Sequence, residues 1–340
     1  MFDDVYFFSF TPRATNRTPR RVLTMAVAAS VAVLTGCSGI TGPGAPTATT
    51  SSTAAVSDIA DDIAVYEDED LEAAMAHLVE EVEEEFGATV SLAVVDSKRD
   101  YLAGSDGSEP AWSTIKVPIA IAALRDGADE ELVDAAIKES DNDAALALWN
   151  QVEWAEGSAQ HSIEELLDSF DSEVSMDEAF GMSTWKVKDQ ARFASHLGCI
   201  PEAEYVYGAM REIVDWQKWG LSGLDGVHSK GGWGLDEDDG EYTSRQIGVM
   251  PVDGGEIGIA LAASWQTWDD DADFVDESDY DGVEDIAAAA LDELASRLEV
   301  LIDEALKSGD LSPVNDCSET SRLAPSPLET SVEPTKDPRK

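Results

Sequence analysis

From Ser113 to Leu124 the chain reads Ser-Thr-Ile-Lys-Val-Pro-Ile-Ala-Ile-Ala-Ala-Leu. Beyond a serine, a threonine and a lysine near its start, this helix is apolar on every side, so it has to be enclosed on every side. Enclosure needs many partner elements, and 340 residues with 43% hydrophobic content and nine Trp can supply them, in one large domain or two small ones. Ser113 and Lys116 are nearly one helical turn apart and share a face. Burial lowers the proton affinity of an amine, and an amine beside a hydroxyl can take its proton and make it a nucleophile. Alone, the spacing fits equally a surface Ser and Lys on an amphipathic helix.

Charge narrows the setting. There are 70 Asp and Glu against 22 Lys and Arg, a formal charge of −48. Such a surface excludes nucleic acid and an electrostatic hold on anionic lipid. Salt would screen the self-repulsion, so a saline habitat is expected, with an ordinary acidic export protein as the alternative. Arg13, Arg17, Arg20 and Arg21 precede an apolar run from Val22 to Leu34 that is too short for a stable membrane span. The run ends in Leu34-Thr35-Gly36-Cys37 and resembles a bacterial lipoprotein signal, with Cys37 receiving the lipid. An ordinary cleaved signal is the alternative. Residues 1–36 are therefore expected to be a signal peptide and residues 37–70 a lipidated cysteine with a Gly-, Pro-, Ser- and Thr-rich tether. This implies an exported protein on the outer face of a bacterial cell membrane, or else a secreted one. In an oxidising compartment the remaining pair, Cys199 and Cys317, is expected to form a disulfide, two free thiols being the alternative.

Residues 71–307 carry the periodic sequence. Leu71 to Phe86 has helical spacing with a Glu-rich outer face. Thr89 to Val95 and Tyr101 to Ala103 read as a hairpin. Helices are expected over Ser113–Leu124, Glu130–Glu139, Asp143–Val152, Ser162–Phe170, Thr184–His196 and Glu202–Trp216. Strands follow at Val227–Gly234, Tyr242–Pro251 and Ile257–Trp265, a meander. Acidic loops are expected at 236–241 and 269–285, and a helix at Ile286–Leu306. Residues 308–340 read as a disordered tail apart from an anchor at Cys317. If hairpin and meander share one sheet, the class is α/β, an antiparallel sheet flanked by helices with an all-helical lobe inserted between its halves. The four His are scattered, no metal-ligand spacing occurs, and no cofactor or phosphate-binding motif is present.

Three short elements occur in order: Ser113-x-x-Lys116, Ser140-Asp141-Asn142, and Lys230-Gly231-Gly232 on a strand. Together, over roughly residues 71–306, they resemble the penicillin-recognising serine enzymes, the class A β-lactamases and D-Ala-D-Ala peptidases. The resemblance implies a β-lactamase/transpeptidase-like fold and a role for each residue. Ser113 is the nucleophile and Lys116 its proton acceptor. Ser140 relays a proton to the leaving nitrogen, Asn142 bonds the substrate amide, and Asp141 braces the turn. The amides of Ser113 and Trp233 form an oxyanion hole beside Gly232. Lys230 faces a substrate carboxylate, and Arg245 on the next strand is expected to add a second cation there, a surface ion pair being the alternative for Arg245.

The departures are as informative. The third motif is Lys-Gly-Gly, not Lys-Thr-Gly, which removes a hydroxyl that contacts substrate. Ser229 is the nearest replacement, yet adjacent strand residues point to opposite faces. Ser113 and Ser140 lie 27 positions apart (140 − 113), roughly half the family interval. The stretch Phe170 to Thr184 lacks the E-x-x-L-N pattern that carries the deacylating glutamate, leaving Glu173 and Glu178 as candidates or as plain solvated carboxylates. Glu164 to Asp168 imitates the pattern but lies on helical spacing. The resemblance thus implies a cell-envelope serine hydrolase, acylated on Ser113 by a β-lactam or a peptidoglycan-type amide, that deacylates slowly and hydrolyses antibiotics weakly or not at all. The competing reading is a non-catalytic envelope lipoprotein that keeps the fold as a binding module.

Overall fold

The computed structural model describes residues 70–236, 240–267, 280–315 and 317. The signal, Cys37, the tether and residues 318–340 lie outside the described residues. Helix α1 (Leu71–Phe86) starts where the Asp70 carboxylate accepts from the Ala73 amide at 3.0 Å, and stops at Gly87 with φ 63°. Its apolar stripe of Leu71, Met75, Leu78, Val79 and Val82 is buried while Glu72, Glu80, Glu84 and Glu85 face out. Strands β1 (Thr89–Val95) and β2 (Asp100–Gly104) form the expected hairpin.

The helical lobe follows. A 3₁₀ turn at Trp112–Ile115 runs into α2 (Lys116–Arg125), which is enclosed as its composition requires: eight of its residues, Lys116 to Ala123, are buried. Around it lie α3 (Glu130–Lys138), α4 (Asn142–Glu156) and α5 (Ala159–Asp168), capped by Asp129, Asp141 and Ser158 in turn. Two helices are shorter than the periodicity suggests. α6 spans Val187–Ala194, and the expected helix 202–216 reduces to α7 (Glu204–Ala209) flanked by 3₁₀ turns. The cause is tertiary. The Met210 carbonyl accepts from the Ser229 amide (3.0 Å) and the Val214 amide donates to the Lys138 carbonyl (3.1 Å), so both backbone groups leave the helical ladder.

The meander β3 (His228–Asp236), β4 (Glu241–Val252) and β5 (Gly255–Gln266) joins the hairpin through β1, giving one antiparallel five-stranded sheet of order β2-β1-β5-β4-β3. The architecture is α/β, an antiparallel sheet with helices on both faces and an inserted helical lobe. β5 shows how the two faces differ. Ile257, Ile259, Leu261 and Ala263 enter the main core with α1 and the last helix, α8 (Tyr280–Ser308). Its alternate positions Ala260 and Ala262 meet Val187 and Ala191 of α6. The approach there is close: a Cβ on Gly258 would lie 2.0 Å from the Ala191 carbonyl oxygen. α8 begins inside the stretch expected to be an acidic loop.

The start of the tail is ordered, against the expectation for residues 308–340. Leu311 and Val314 are buried, Val314 bridges to Glu256, and the Ser312 amide donates to Asp96 Oδ2 at 2.9 Å. Apolar burial and these backbone bonds offset the ordering entropy. A disulfide joins Cys199 to Cys317, 118 positions apart. No helix among the described residues is long and apolar enough to cross a membrane.

Candidate active site

The site lies where the start of α2 meets the start of α4 and the free edge of β3. The turn carrying Ser113 is held on several sides. The Ala111 amide donates to the Ser183 carbonyl at 2.7 Å, and Gln190 Nε2 of α6 donates to Thr114 Oγ1 at 2.9 Å. Trp112 adopts φ 49°, a conformation that costs a non-glycine residue about 1–3 kcal/mol. Its indole packs over Gly234, where a Cβ would stand 2.6 Å from the ring. Gln190 is fully buried and was not singled out from sequence, because its partner Thr114 is 76 positions away.

Lys116 is 1% exposed. Its Nζ donates to the Ser140 carbonyl at 2.6 Å and to Asn142 Oδ1 at 2.7 Å, with the Ser140 hydroxyl at 3.4 Å. Burial pulls its pKa down to about 7, against a smaller opposing pull from Asp141. A neutral amine has two N–H bonds and one lone pair. The two short contacts occupy the N–H bonds and leave the lone pair for a hydroxyl proton. Ser140 sits at φ 60°, and Asp141 caps α4 by accepting from the Ala144 amide at 2.7 Å. This turn therefore aims the Ser140 carbonyl, its hydroxyl and Asn142 at one amine.

Lys230 is fully buried. Its Nζ donates to Ser140 Oγ at 2.9 Å and to the Gly231 carbonyl at 2.8 Å. Its pKa is well below the ordinary lysine value, first through burial and then through repulsion from Lys116. The Ser140 hydroxyl thus stands between two amines. The Ser229 amide bonds outward to Met210, so positions 229, 231 and 233 turn their backbone groups away from β4. By that alternation the Trp233 N–H opens on the free edge of β3. The Ser113 amide adjoins the same edge, since a Cβ on Gly232 would fall 2.6 Å from the Ser113 nitrogen and 2.9 Å from that of Thr114. Two amide donors bordering one space suit a developing oxyanion.

The structure does not bring Arg245 into this cleft. It is 0% exposed, and its guanidinium donates to the carbonyls of Glu109 (2.7 Å), Pro110 (3.1 Å), Gly107 (3.4 Å) and Trp185 (2.7 Å). Burial lowers its pKa to about 10, so it keeps its charge at neutral pH. Register explains the correction. Arg245 pairs with Gly232 on the lobe side of the sheet, while its neighbour Ser244 pairs with Trp233 and is the residue on the other face. Arg245 therefore fastens the loop entering the nucleophile turn and is neither a surface ion pair nor open to substrate. Ser229 is likewise turned away, its hydroxyl 2.7 Å from that of Ser222.

The segment Phe170 to Thr184 folds back on itself through a bridge between Ser175 and Thr184. It presents Phe180-Gly181-Met182 to the nucleophile turn, with Phe180 stacked on Trp149 at 5.4 Å and a Cβ on Gly181 3.9 Å from Trp112 Cα. Glu173 and Glu178 are exposed, and among the described residues no carboxylate hydrogen-bonds to Lys116. No group of side chains that could hold a metal ion occurs among the described residues.

The buried Lys116 amine, the Ser140 hydroxyl between two lysine amines and the edge of β3 beside the Ser113 amide thus lie together at one place in the fold. No family model and no curated protein sequence matches the chain. Among solved structures it is similar to a class A β-lactamase from Bacteroides cellulosilyticus DSM 14838, at 15% identity over 66% of this chain and 98% of that one, with a TM-score of 0.49. It is similar to the TLA-1 extended-spectrum β-lactamase at 17% identity over 65% of this chain and 98% of that one, TM-score 0.48. For a β-lactamase from Streptosporangium roseum the values are 16%, 67%, 99% and 0.49.

Proposed function

We propose that this protein is an exported cell-envelope serine hydrolase, anchored through Cys37, whose Ser113 is acylated by a β-lactam or a peptidoglycan-type amide and freed slowly. The observation that carries the proposal is the buried Lys116 amine. Its two N–H bonds are taken by Ser140 and Asn142, and its pKa is near 7. In the proposed step Ser113 Oγ attacks the carbonyl carbon while its proton passes to Lys116. Charge gathers on the carbonyl oxygen between the Ser113 and Trp233 amides. The C–N bond then breaks, and the proton reaches the leaving nitrogen through Ser140. Slow release is supported by Phe180-Gly181-Met182 standing beside the nucleophile turn with no carboxylate bonded to Lys116 to direct a water.

Labelling of the purified protein with a fluorescent penicillin, followed by intact-protein mass spectrometry, tests this. A stable adduct is expected on the wild type and none on Ser113→Ala, whereas equal labelling of both removes Ser113 from the role. Membrane anchoring is tested separately: Cys37→Ser should move the protein from the membrane fraction to the medium.

A further inference from the structure

The turn that carries Ser113 is closed by the side chain next to it. The Thr114 hydroxyl donates to the Ala111 carbonyl at 2.5 Å, beside the 3.1 Å bond from the Thr114 amide to the same oxygen. These two bonds span Ser113 and Trp112, whose φ of 49° persists only where its surroundings over-determine it. With its proton committed to Ala111, Thr114 Oγ1 can only accept from Gln190, so the Gln190 atom 2.9 Å away is the Nε2 donor. Both side chains are 0% exposed. The other end of the same amide, Gln190 Oε1, is buried with no hydrogen-bond partner among the described residues. A buried acceptor left unpaired weakens a fold, and an apolar side chain of the same length would not. Stability alone therefore does not account for a glutamine at this position.

Building on the acyl-transfer reading, we propose that Gln190 is a positioning residue, which fixes the Ser113 hydroxyl and amide for attack by holding Thr114 against Ala111. Its own footing on α6 is fixed. Val187 and Ala191 of the same helix pack on Ala260 and Ala262 of β5. The Trp185 carbonyl, just before the helix, accepts from Arg245 at 2.7 Å. Ser172 Oγ accepts from the Trp185 indole at 3.0 Å and donates to the Asp189 carbonyl at 2.8 Å. Gln190 thus carries the position of the sheet to the nucleophile turn, across 76 positions of chain. Without its N–H, Thr114 Oγ1 is free to leave Ala111, Trp112 can relax from its strained φ, and Ser113 turns away from the line to a substrate carbonyl. Lys116 is held separately, by Ser140 and Asn142, and keeps its place.

Gln190→Met keeps the length of the side chain and removes both polar ends, while Thr114→Val keeps the shape and removes the hydroxyl. Acylation of the full chain by a penicillin is read by intact mass as a function of its concentration and of pH, with denaturant midpoints measured alongside. In Gln190→Met the rate at saturating penicillin should fall by about tenfold or more. The half-saturating concentration should not change, nor should the pH midpoint near 7 that Lys116 sets. The denaturant midpoint should hold or rise, because the unpaired Oε1 is gone. Thr114→Val should lose a similar factor in rate, and the double variant no more than the larger single loss, since the two side chains act as a unit. A Gln190→Met protein that acylates at the wild-type rate, or that loses rate only together with its denaturant midpoint, overturns the positioning role while leaving acyl transfer intact. A wild-type protein that forms no adduct with any penicillin overturns the acyl-transfer reading, and this one with it.

Discussion

Burying Lys116 beside a serine, and not merely placing it one turn away, is what moves its titration to about pH 7. If the neutral amine takes the Ser113 proton, acylation should rise with pH through about 7 and level off above it. A stopped-flow profile of wild-type acylation that is flat from pH 6 to 8 would remove Lys116 as the base. The same shift has a stability consequence. Between about pH 7 and the ordinary lysine value, the unfolded chain holds a proton that the folded one has lost, so stability rises with pH across that window. Lys116→Met should flatten the rise in denaturant midpoints measured from pH 7 to 10. Gly232 is a second single-residue constraint. A methyl group there meets backbone nitrogens at 2.6 and 2.9 Å, which cannot swing aside as a side-chain end could. Gly232→Ala should cut acylation by at least about a hundredfold, read as adduct formation with folding checked by circular dichroism.

Among the elements, the loop before the nucleophile turn depends on a strand it does not adjoin in sequence. Arg245 binds four backbone carbonyls from two segments, and removing it takes this donor from all four, those of Gly107 and Trp185 being buried. At about 1–3 kcal/mol for each unsatisfied buried group, Arg245→Ala should cost at least about 2 kcal/mol in chemical denaturation. The tail is coupled to the lobe by Cys199–Cys317 and by the Ser312 and Val314 backbone bonds. Replacing both cysteines by serine should cost about 2–4 kcal/mol on the loop-closure account. Adduct formation should persist, because neither cysteine touches the site. The element boundaries themselves were readable from sequence where the period was long, as in α1, the hairpin and the meander. They were not readable over 202–216, where backbone groups of Met210 and Val214 are claimed by β3 and by the end of α3.

For the whole molecule, the charge distribution sets the conditions of stability. Among the described residues four basic side chains, Lys116, Lys230, Arg245 and Arg297, are withdrawn into the interior, while the chain's 70 Asp and Glu leave a formal charge of −48. Repulsion of this kind weakens as the Debye length falls from about 10 Å at 0.1 M salt to about 3 Å at 1 M. The melting temperature should rise over that range in sodium chloride, and a flat or falling curve would show that the acidic surface does not limit stability.

The sequence by itself determined the enclosed helix that begins at Lys116, the order of the three motifs and the alternation that builds the sheet. Each is a local pattern, set by helical or strand periodicity within a dozen residues. Only the tertiary structure decided which of two adjacent residues, Ser244 or Arg245, faces which side, because strand register inverts on a one-residue shift. Only it placed the Trp219 ring over Gly231 and the carbonyls of residues 107–110 around Arg245, contacts that span up to 138 positions of chain. The lysine beside Ser113 could be read from spacing. What surrounds Gly231 and Arg245 was decided by packing between elements whose separation in sequence carries no signal.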